Sequence, residues 1–347
     1  MFSYLLETKS SWEKLKSSPE PIAVYGTGDG ADKVFAEFER LGITPRFVVA
    51  SDTFARERTF HGYKVLPISE LEKTVPDFTV ALAFASPRDE VITNIKTLSK
   101  RHNVIMPSVP VYGNDVFNKE YLKTHSEEIN NAYSLLADEK SKEVFRSIME
   151  FQITGNLEVL FNCETPKCEA LSLLEISGNE NYLDLGAYRG DTIDELVSFA
   201  GGYKEITAVE PDARSYKKLC KHCENMKNVS LVNAVVSDSC GEVRFGGNKG
   251  RGGRIKNDGI TVPSITVDSL SRKFSYIKAD TEGAEREMLI GAKNTLQRKP
   301  KLNIAAYHRS EDIFALTNKI SEINSEYKIY LRHHKHISFW DTNLYCK

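Results

Sequence analysis

From residue 182 to the end of the chain, short apolar runs alternate with segments whose apolar residues recur at helical spacing. The runs fall at 182–186, 206–209, 229–233, 275–279, 302–307, 328–332 and 342–345, and each has the length of one strand. Helical patterns separate the first five, as a parallel sheet requires. A loop alone separates the last two, so the sheet is expected to finish in a hairpin with an antiparallel strand.

The first third of the chain repeats this pattern on a smaller scale. A helix is predicted over 1–17, with Tyr4, Leu5, Trp12 and Leu15 on its apolar face and Pro19 and Pro21 ending it. Strands are predicted at 22–25, 46–50, 79–84 and 103–106, and Val34, Phe35, Phe38 and Leu41 share one face of the helix after the first strand. Residues 111–180 carry helical patterns, such as 132–136 and 144–149, without strand alternation. The expected organisation is α/β throughout: a small Rossmann-like domain of roughly five parallel strands at 1–110, a helical connector at 111–180 that caps the next domain, and a seven-stranded Rossmann-like domain at 181–347.

Composition narrows the function classes. The 347 residues are 41% hydrophobic and 27% charged, enough for two folded domains and too polar for a membrane protein. The opening residues have no basic flank ahead of an apolar core, so a signal peptide is not expected and a cytoplasmic location is. A net charge of −2 gives no overall attraction for nucleic-acid phosphates or anionic lipid. The expected partner is a small-molecule or glycan acceptor, with no nucleic acid, no membrane insertion, and a homodimer left open. Only 248–256 is locally basic, and it reads as a mobile glycine-rich loop, either a solvated hairpin or a cover over an acidic substrate. Cys220 and Cys223 have zinc-like spacing, with Cys163 and Cys168 as further ligands, but they fall in an amphipathic helix pattern where i,i+3 means a shared face. Reduced thiols are expected instead.

Two turns carry the chemistry. The run at 182–186 ends in Asp184, Gly186, Ala187 and Gly190, a turn with little side-chain bulk at the start of a helix, where a ligand can approach backbone N–H groups. The run at 206–209 leads to Glu210, suited to accept hydrogen bonds from two ribose hydroxyls, and the third ends at Asn233 and Ala234, where an amide can meet an adenine. The run at 275–279 ends in Asp280 and Glu282. This order, with the antiparallel finish, resembles the layout of S-adenosylmethionine-dependent methyltransferases, and the resemblance implies Asp184, Gly186, Ala187, Gly190, Glu210, Asn233, Ala234 and Asp280 as the cofactor contacts. In the first domain, Gly26, Gly28 and Ala31 fit G-x-G-x-x-A, with Asp52 near the place of a ribose-binding acid. Asp29 inside that turn opposes a pyrophosphate, so a working nucleotide site and a degenerate docking domain both stand.

The segment from Asp184 to Thr192, the Lys278-Ala-Asp-Thr-Glu-Gly-Ala-Glu285 run and the following Leu289-Ile-Gly-Ala292 resemble the FkbM family of methyltransferases. The ending, with Tyr307, His308, Glu311 and Asp312, is similar to a subgroup of that family. The resemblance implies a class I methyltransferase fold and O-methylation of sugars, glycans or polysaccharide and natural-product precursors. The glycine turn at 26–31 and the stretch 61–67 resemble small nucleotide-sugar-binding domains of bacterial sugar acyltransferases. In the methyltransferase strand order Asp280 faces the cofactor across the crevice, with His308 about 5 Å to one side by strand spacing. Either could take the acceptor's proton, and Lys278 either orients Asp280 or forms a plain ion pair with it. No resident metal is expected, the alternative being a divalent ion on Asp280, Glu282 and His308, with His333 or His334 added. Glu285 reads as a complement to a helix dipole, and His333, His334 and His336 as surface residues. Two other functions remain: a nicotinamide-dependent oxidoreductase built on the first domain, and a non-catalytic nucleotide-sugar-binding protein.

Overall fold

A computed structural model of the protein describes residues 1–55, 58–246, 254–255 and 259–347. The chain divides into two compact units: unit 1 is Met1–Asn130, Glu143–Glu164 and His333–Asp341, and unit 2 is Asn131–Lys142, Thr165–Arg332 and Thr342–Lys347.

Unit 1 holds a six-stranded sheet of β1 Ile22–Tyr25, β2 Phe47–Ala50, β3 Thr59–Phe60, β4 Tyr63–Pro67, β5 Thr79–Leu82 and β6 Asn103–Ile105, in the order β3-β4-β2-β1-β5-β6. Five of these strands are parallel, and β3 pairs antiparallel with β4. The fifth parallel strand is β4, whose mixed polarity hides it in the sequence. Val34 and Phe38 of helix Asp29–Leu41 pack with Val24, Val48 and Ala81 of the sheet in one core cluster. The predicted helix over 1–17 is two helices, Tyr4–Glu7 and Ser11–Lys16. The physical reason is a capping box: Ser10 Oγ accepts from Glu13 N while Glu13 Oε2 accepts from Ser10 N, which starts a new helix at residue 11.

Unit 2 contains β7 Asn181–Leu185, β8 Glu205–Val209, β9 Val229–Val232, β10 Val235–Val236, β11 Gly241–Gly246, β12 Arg254–Ile255, β13 Ile260–Ile265, β14 Tyr276–Ala279, β15 Lys301–Ala305, β16 Ile329–His333 and β17 Thr342–Cys346. The main sheet runs β16-β17-β15-β14-β7-β8-β9, and β17 is antiparallel to β15. All seven predicted strands are present within a residue or two of their expected ends. The chain builds outward from β7 in one direction and resumes at β14 on its other side, so the β7/β14 boundary is the topological switch point. Tyr182 and Tyr276 stack across that boundary with ring centroids 5.0 Å apart.

A second, four-stranded sheet of order β10-β13-β11-β12 has no counterpart in the sequence prediction. The basic stretch 248–256 lies outside the described residues except for the backbone of Arg254–Ile255. The helices of 111–180, Lys119–Thr124, Ser126–Leu135, Glu139–Thr154, Glu158–Phe161 and Lys167–Leu173, form no separate body and are divided between the units. Within unit 2, Arg332 at the end of β16 donates to Asp138 Oδ2 at 2.6 Å and Ser141 Oγ at 2.8 Å, which ties 131–142 to the sheet.

Candidate active site

The switch point gathers charge. Strand β7 pairs with β14 so that Asp184 lies opposite Lys278 and Leu185 opposite Ala279, and Asp280 N donates to Leu185 O at 2.9 Å. The tips of the two strands are thereby locked together. Asp184 is 0% exposed, and Thr192 Oγ1 donates to its Oδ2. Its Oδ1 has no hydrogen-bond partner. Burial raises its carboxyl above the usual range, opposed by Lys278, Thr192 and Tyr182. Lys278 Nζ stands 4.0 Å from Asp184 Oδ1 and 3.9 Å from Asp280 Oδ2, bridging the two strand ends. Burial draws its ammonium down, but Asp280 and Asp184 hold it above the ordinary lysine value.

The turn after β7 is tightly built. Gly186 has φ +82°, and a Cβ there would sit 1.9 Å from Asp280 O; at Gly190, φ +97°, it would sit 2.6 Å from the His222 ring. The space these glycines leave is filled by the protein itself, so their absence of side chain serves strand-tip packing. Ala187 is buried and its N–H goes to Val209 O at 3.1 Å. Glu210 accepts from Tyr188 N through Oε2 and from Asp212 N through Oε1, both at 2.8 Å. Burial pushes its carboxyl up to about 7 despite those bonds. Asn233 donates to Glu210 O at 2.7 Å and Pro211 O at 3.1 Å, so its NH2 group is committed and its Oδ1 is the end left for a ligand; Ala234 beside it is buried.

On the other side of Asp280 the strand β15 delivers Tyr307 and His308. Tyr307 Oη lies 3.4 Å from Asp280 Oδ2. His308 is 1% exposed, with Nε2 3.4 Å from Asp280 Oδ1 and 3.7 Å from Glu282 Oε2, and Nδ1 3.1 Å from Glu285 Oε1. Burial alone would lower the ring's pKa, but Glu285 first, then Asp280 and Glu282, hold it up at about 10. The Asp280 and Glu282 side chains are 35% and 31% exposed, so the cluster opens toward solvent on the carboxylate side.

Sequence reasoning undervalued Glu285. It is buried, and its Oε1 accepts from Thr281 N at 2.7 Å and Thr281 Oγ1 at 3.0 Å as well as facing His308. It is a strut for the 280–283 turn, in which Glu282 has φ +55° and Gly283 φ +97°. Arg309, unforeseen, clamps the same turn by donating to Gly283 O from Nε and Nη2 at 3.0 and 2.8 Å. Asp312 accepts from Arg309 N at 2.7 Å, and burial, with Glu285 nearby, pushes its carboxyl up to about 8. The signal was present as i,i+4 spacing, Thr281 to Glu285 and His308 to Asp312.

Two expectations need correction. His333 and His334 are buried, not surface residues: they belong to unit 1, where His333 bridges Glu164 and His334 N donates to Asp341 O at 3.0 Å. Desolvation takes the His333 ring down to about 3. Among the described residues the groups able to hold a metal are Asp280, Glu282, His308 and Glu285, His308, Asp312, and neither includes these histidines or a cysteine. In the 26–31 turn of unit 1, Asp29 is exposed beside Lys33 at 3.3 Å, and the Asp52 carboxylate accepts from Ser69 N at 3.2 Å at the start of helix Ile68–Thr74.

The sequence pattern of the methyltransferase FkbM domain matches residues 184–338. No curated protein sequence matches the chain. Among solved structures, the methyltransferase FkbM of Methylobacillus flagellatus KT superposes with a TM-score of 0.71 at 20% identity, over 99% of this chain and 92% of that one, a likeness of fold that takes in both units. Over 52% of this chain, the precorrin-6y C5,15-methyltransferase of Geobacter metallireducens gives a TM-score of 0.34 at 12% identity and 85% of its length, and Aeropyrum pernix fibrillarin 0.34 at 13% and 73%. With the match of residues 184–338 to the methyltransferase FkbM domain and the 6-7-5-4-1-2-3 order of the main sheet, the protein is a methyltransferase of the S-adenosylmethionine-dependent kind.

Proposed function

We propose that the protein transfers the methyl group of S-adenosylmethionine to a hydroxyl oxygen of a sugar, glycan or polysaccharide precursor. The observation that carries this reading is the convergence of Asp184, Lys278 and Asp280 on two paired strand tips, with Glu210 on the next strand. Asp184 Oδ1 makes no direct hydrogen bond and has the Lys278 ammonium only at 4.0 Å, so it keeps acceptor capacity for an α-ammonium group. Glu210 has carboxylate lone pairs beyond the two backbone bonds it accepts, enough for ribose hydroxyls, and Asn233 Oδ1 suits an adenine amino group.

When bound, S-adenosylmethionine supplies an electrophilic methyl group on a sulfonium. The protein's task is to align the acceptor oxygen and receive its proton. Asp280, a third exposed, is the side chain placed to do so, whereas His308 sits behind it and out of reach of an acceptor. Lys278 fixes Asp280 from the strand side, and Tyr307 flanks it with a hydroxyl suited to a polyol. The polar character of this side, Asp280, Glu282 and Tyr307, supports a sugar-like acceptor.

The test is methyl transfer from a radiolabelled donor to a panel of nucleotide sugars, monosaccharides and polysaccharides. The expected product carries label as a base-stable ether, and Asp280→Asn loses it. Label in a base-labile ester or on nitrogen, or an unchanged rate in Asp280→Asn, would overturn the reading.

A further inference from the structure

Asp280, Glu282 and His308 have a second chemical reading that methyl transfer does not require. Their ligand atoms all lie within 4.8 Å of one another. The separations from His308 Nε2, 3.4 Å to Asp280 and 3.7 Å to Glu282, exceed the roughly 2.7–3.2 Å of an N–H···O bond. Ligands about 2.1 Å from one ion stand about 3.0 Å apart in an octahedron, so an ion here would draw the two carboxylates toward the ring by about half an ångström.

The ring behind this edge is prepared for such a role. His308 is 1% exposed, and its Nδ1 faces the buried Glu285 at 3.1 Å without an aligned hydrogen bond. A carboxylate this near the far nitrogen favours keeping the proton on Nδ1, so that loss of the other ring proton would free the Nε2 lone pair for a metal. Thr281 holds Glu285 in turn, so the orienting group is itself anchored. Once an ion takes the place of the second ring proton, three carboxylates, Asp280, Glu282 and Glu285, stand against two cations, Lys278 beside Asp280 and Arg309 on the turn, which leaves the cluster negative. The alternative set of Glu285, His308 and Asp312 is buried throughout, with Asp312 Oδ2 taken by Arg309 N, and offers an ion no access.

We propose that Asp280, Glu282 and His308 Nε2 form the protein side of a site for one divalent cation of the Mg2+/Mn2+ class, open toward solvent at the two carboxylates. Bound there, the ion displaces the second ring proton of His308 and leaves positions for water or an acceptor hydroxyl, whose pKa it lowers. Binding of the ion stands on this geometry alone; its part in catalysis rests on the methyl-transfer reading above.

The test is titration of the metal-stripped full-length protein with Mn2+, followed by loss of the free-ion electron paramagnetic resonance signal. One Mn2+ per chain is expected, with affinity at least about tenfold weaker in Glu282→Gln and in His308→Gln, and about 10–100-fold weaker in Glu285→Gln. A thermal shift with S-adenosylhomocysteine, retained in each variant, shows that it is folded. No capture of Mn2+ by a protein that still binds S-adenosylhomocysteine, or equal affinity in Glu282→Gln and His308→Gln, overturns the cation site and leaves the methyl-transfer reading in place. Mn2+ capture weakened by the substitutions, in a wild-type protein that ignores S-adenosylhomocysteine, upholds the site and counts against that reading.

Discussion

The glycine turns of the two units are near-twins in sequence and opposites in surroundings. In both, a parallel strand ends in glycines that let another backbone come close: a Cβ at Gly30 would meet Ala83 O at 2.7 Å, and one at Gly186 would meet Asp280 O at 1.9 Å. The difference lies in the acids. Those near the unit 1 turn, Asp29 and Asp52, are exposed and serve an ion pair and a helix start. Asp184 and Glu210 of unit 2 are buried, and burial raises the pKa of both. A glycine turn is therefore a packing device common to both sheets, and desolvated charge at the strand tips distinguishes the one where we propose the methyl-transfer site.

The contrast is broken or sharpened by four substitutions. Asp280→Ala is expected to lower the methyl-transfer rate by about 10²–10⁴-fold. Asp29→Ala, its counterpart on the unit 1 turn, should leave that rate within about twofold, since exposed charges contribute little; steady-state kinetics decides. Next in size, Gly186→Ala forces a Cβ into the Asp280 carbonyl at φ +82° and should cost at least about 3 kcal/mol of stability. Gly28→Ala, with open space around it and φ −117°, should cost under about 1 kcal/mol in the same denaturant titration.

Glu210 adds a pH signature. Its carboxyl is at about 7 in the fold against 4.5 as its ordinary value, so between those values the folded state holds the extra proton. The contribution to stability is full below about 4.5 and is lost as pH rises through about 7, at about 1.4 kcal/mol per unit and about 3 kcal/mol in all. Glu210→Gln should remove that slope from the difference between the two stability profiles. Asp52→Ala loses the bond from Ser69 N and about 1 kcal/mol, with no change in S-adenosylhomocysteine binding.

The main sheet was legible because each of its strands is an apolar run stopped by an acid, a glycine or a turn, and the parallel direction of the first five followed from the helical patterns between them, whereas the strand order came with the methyltransferase layout. The β10–β13 sheet was not, since its strands are short or half exposed and Gly241, Gly246 and Gly259 interrupt the alternation. At the site, Asp184, Glu210, Lys278, Asp280 and His308 could be read from strand ends. The roles of Glu285, Arg309 and Asp312 depend on which helix turn faces the 280–283 loop, a tertiary fact that spacing only hints at. The burial of His333 and His334 was hidden for the same reason: a polar loop with three histidines reads as surface until its packing is known.

The central claim is that Asp184 and Glu210 hold one sulfonium-bearing nucleoside beside Asp280, and calorimetric titration with S-adenosylhomocysteine tests it most directly. The account predicts one molecule bound per chain, no heat with NAD or NADP, and affinity weakened at least about tenfold in Glu210→Ala, the loss of a charge-assisted hydrogen bond. Absence of binding to the wild-type protein, or equal affinity in Glu210→Ala, would contradict it.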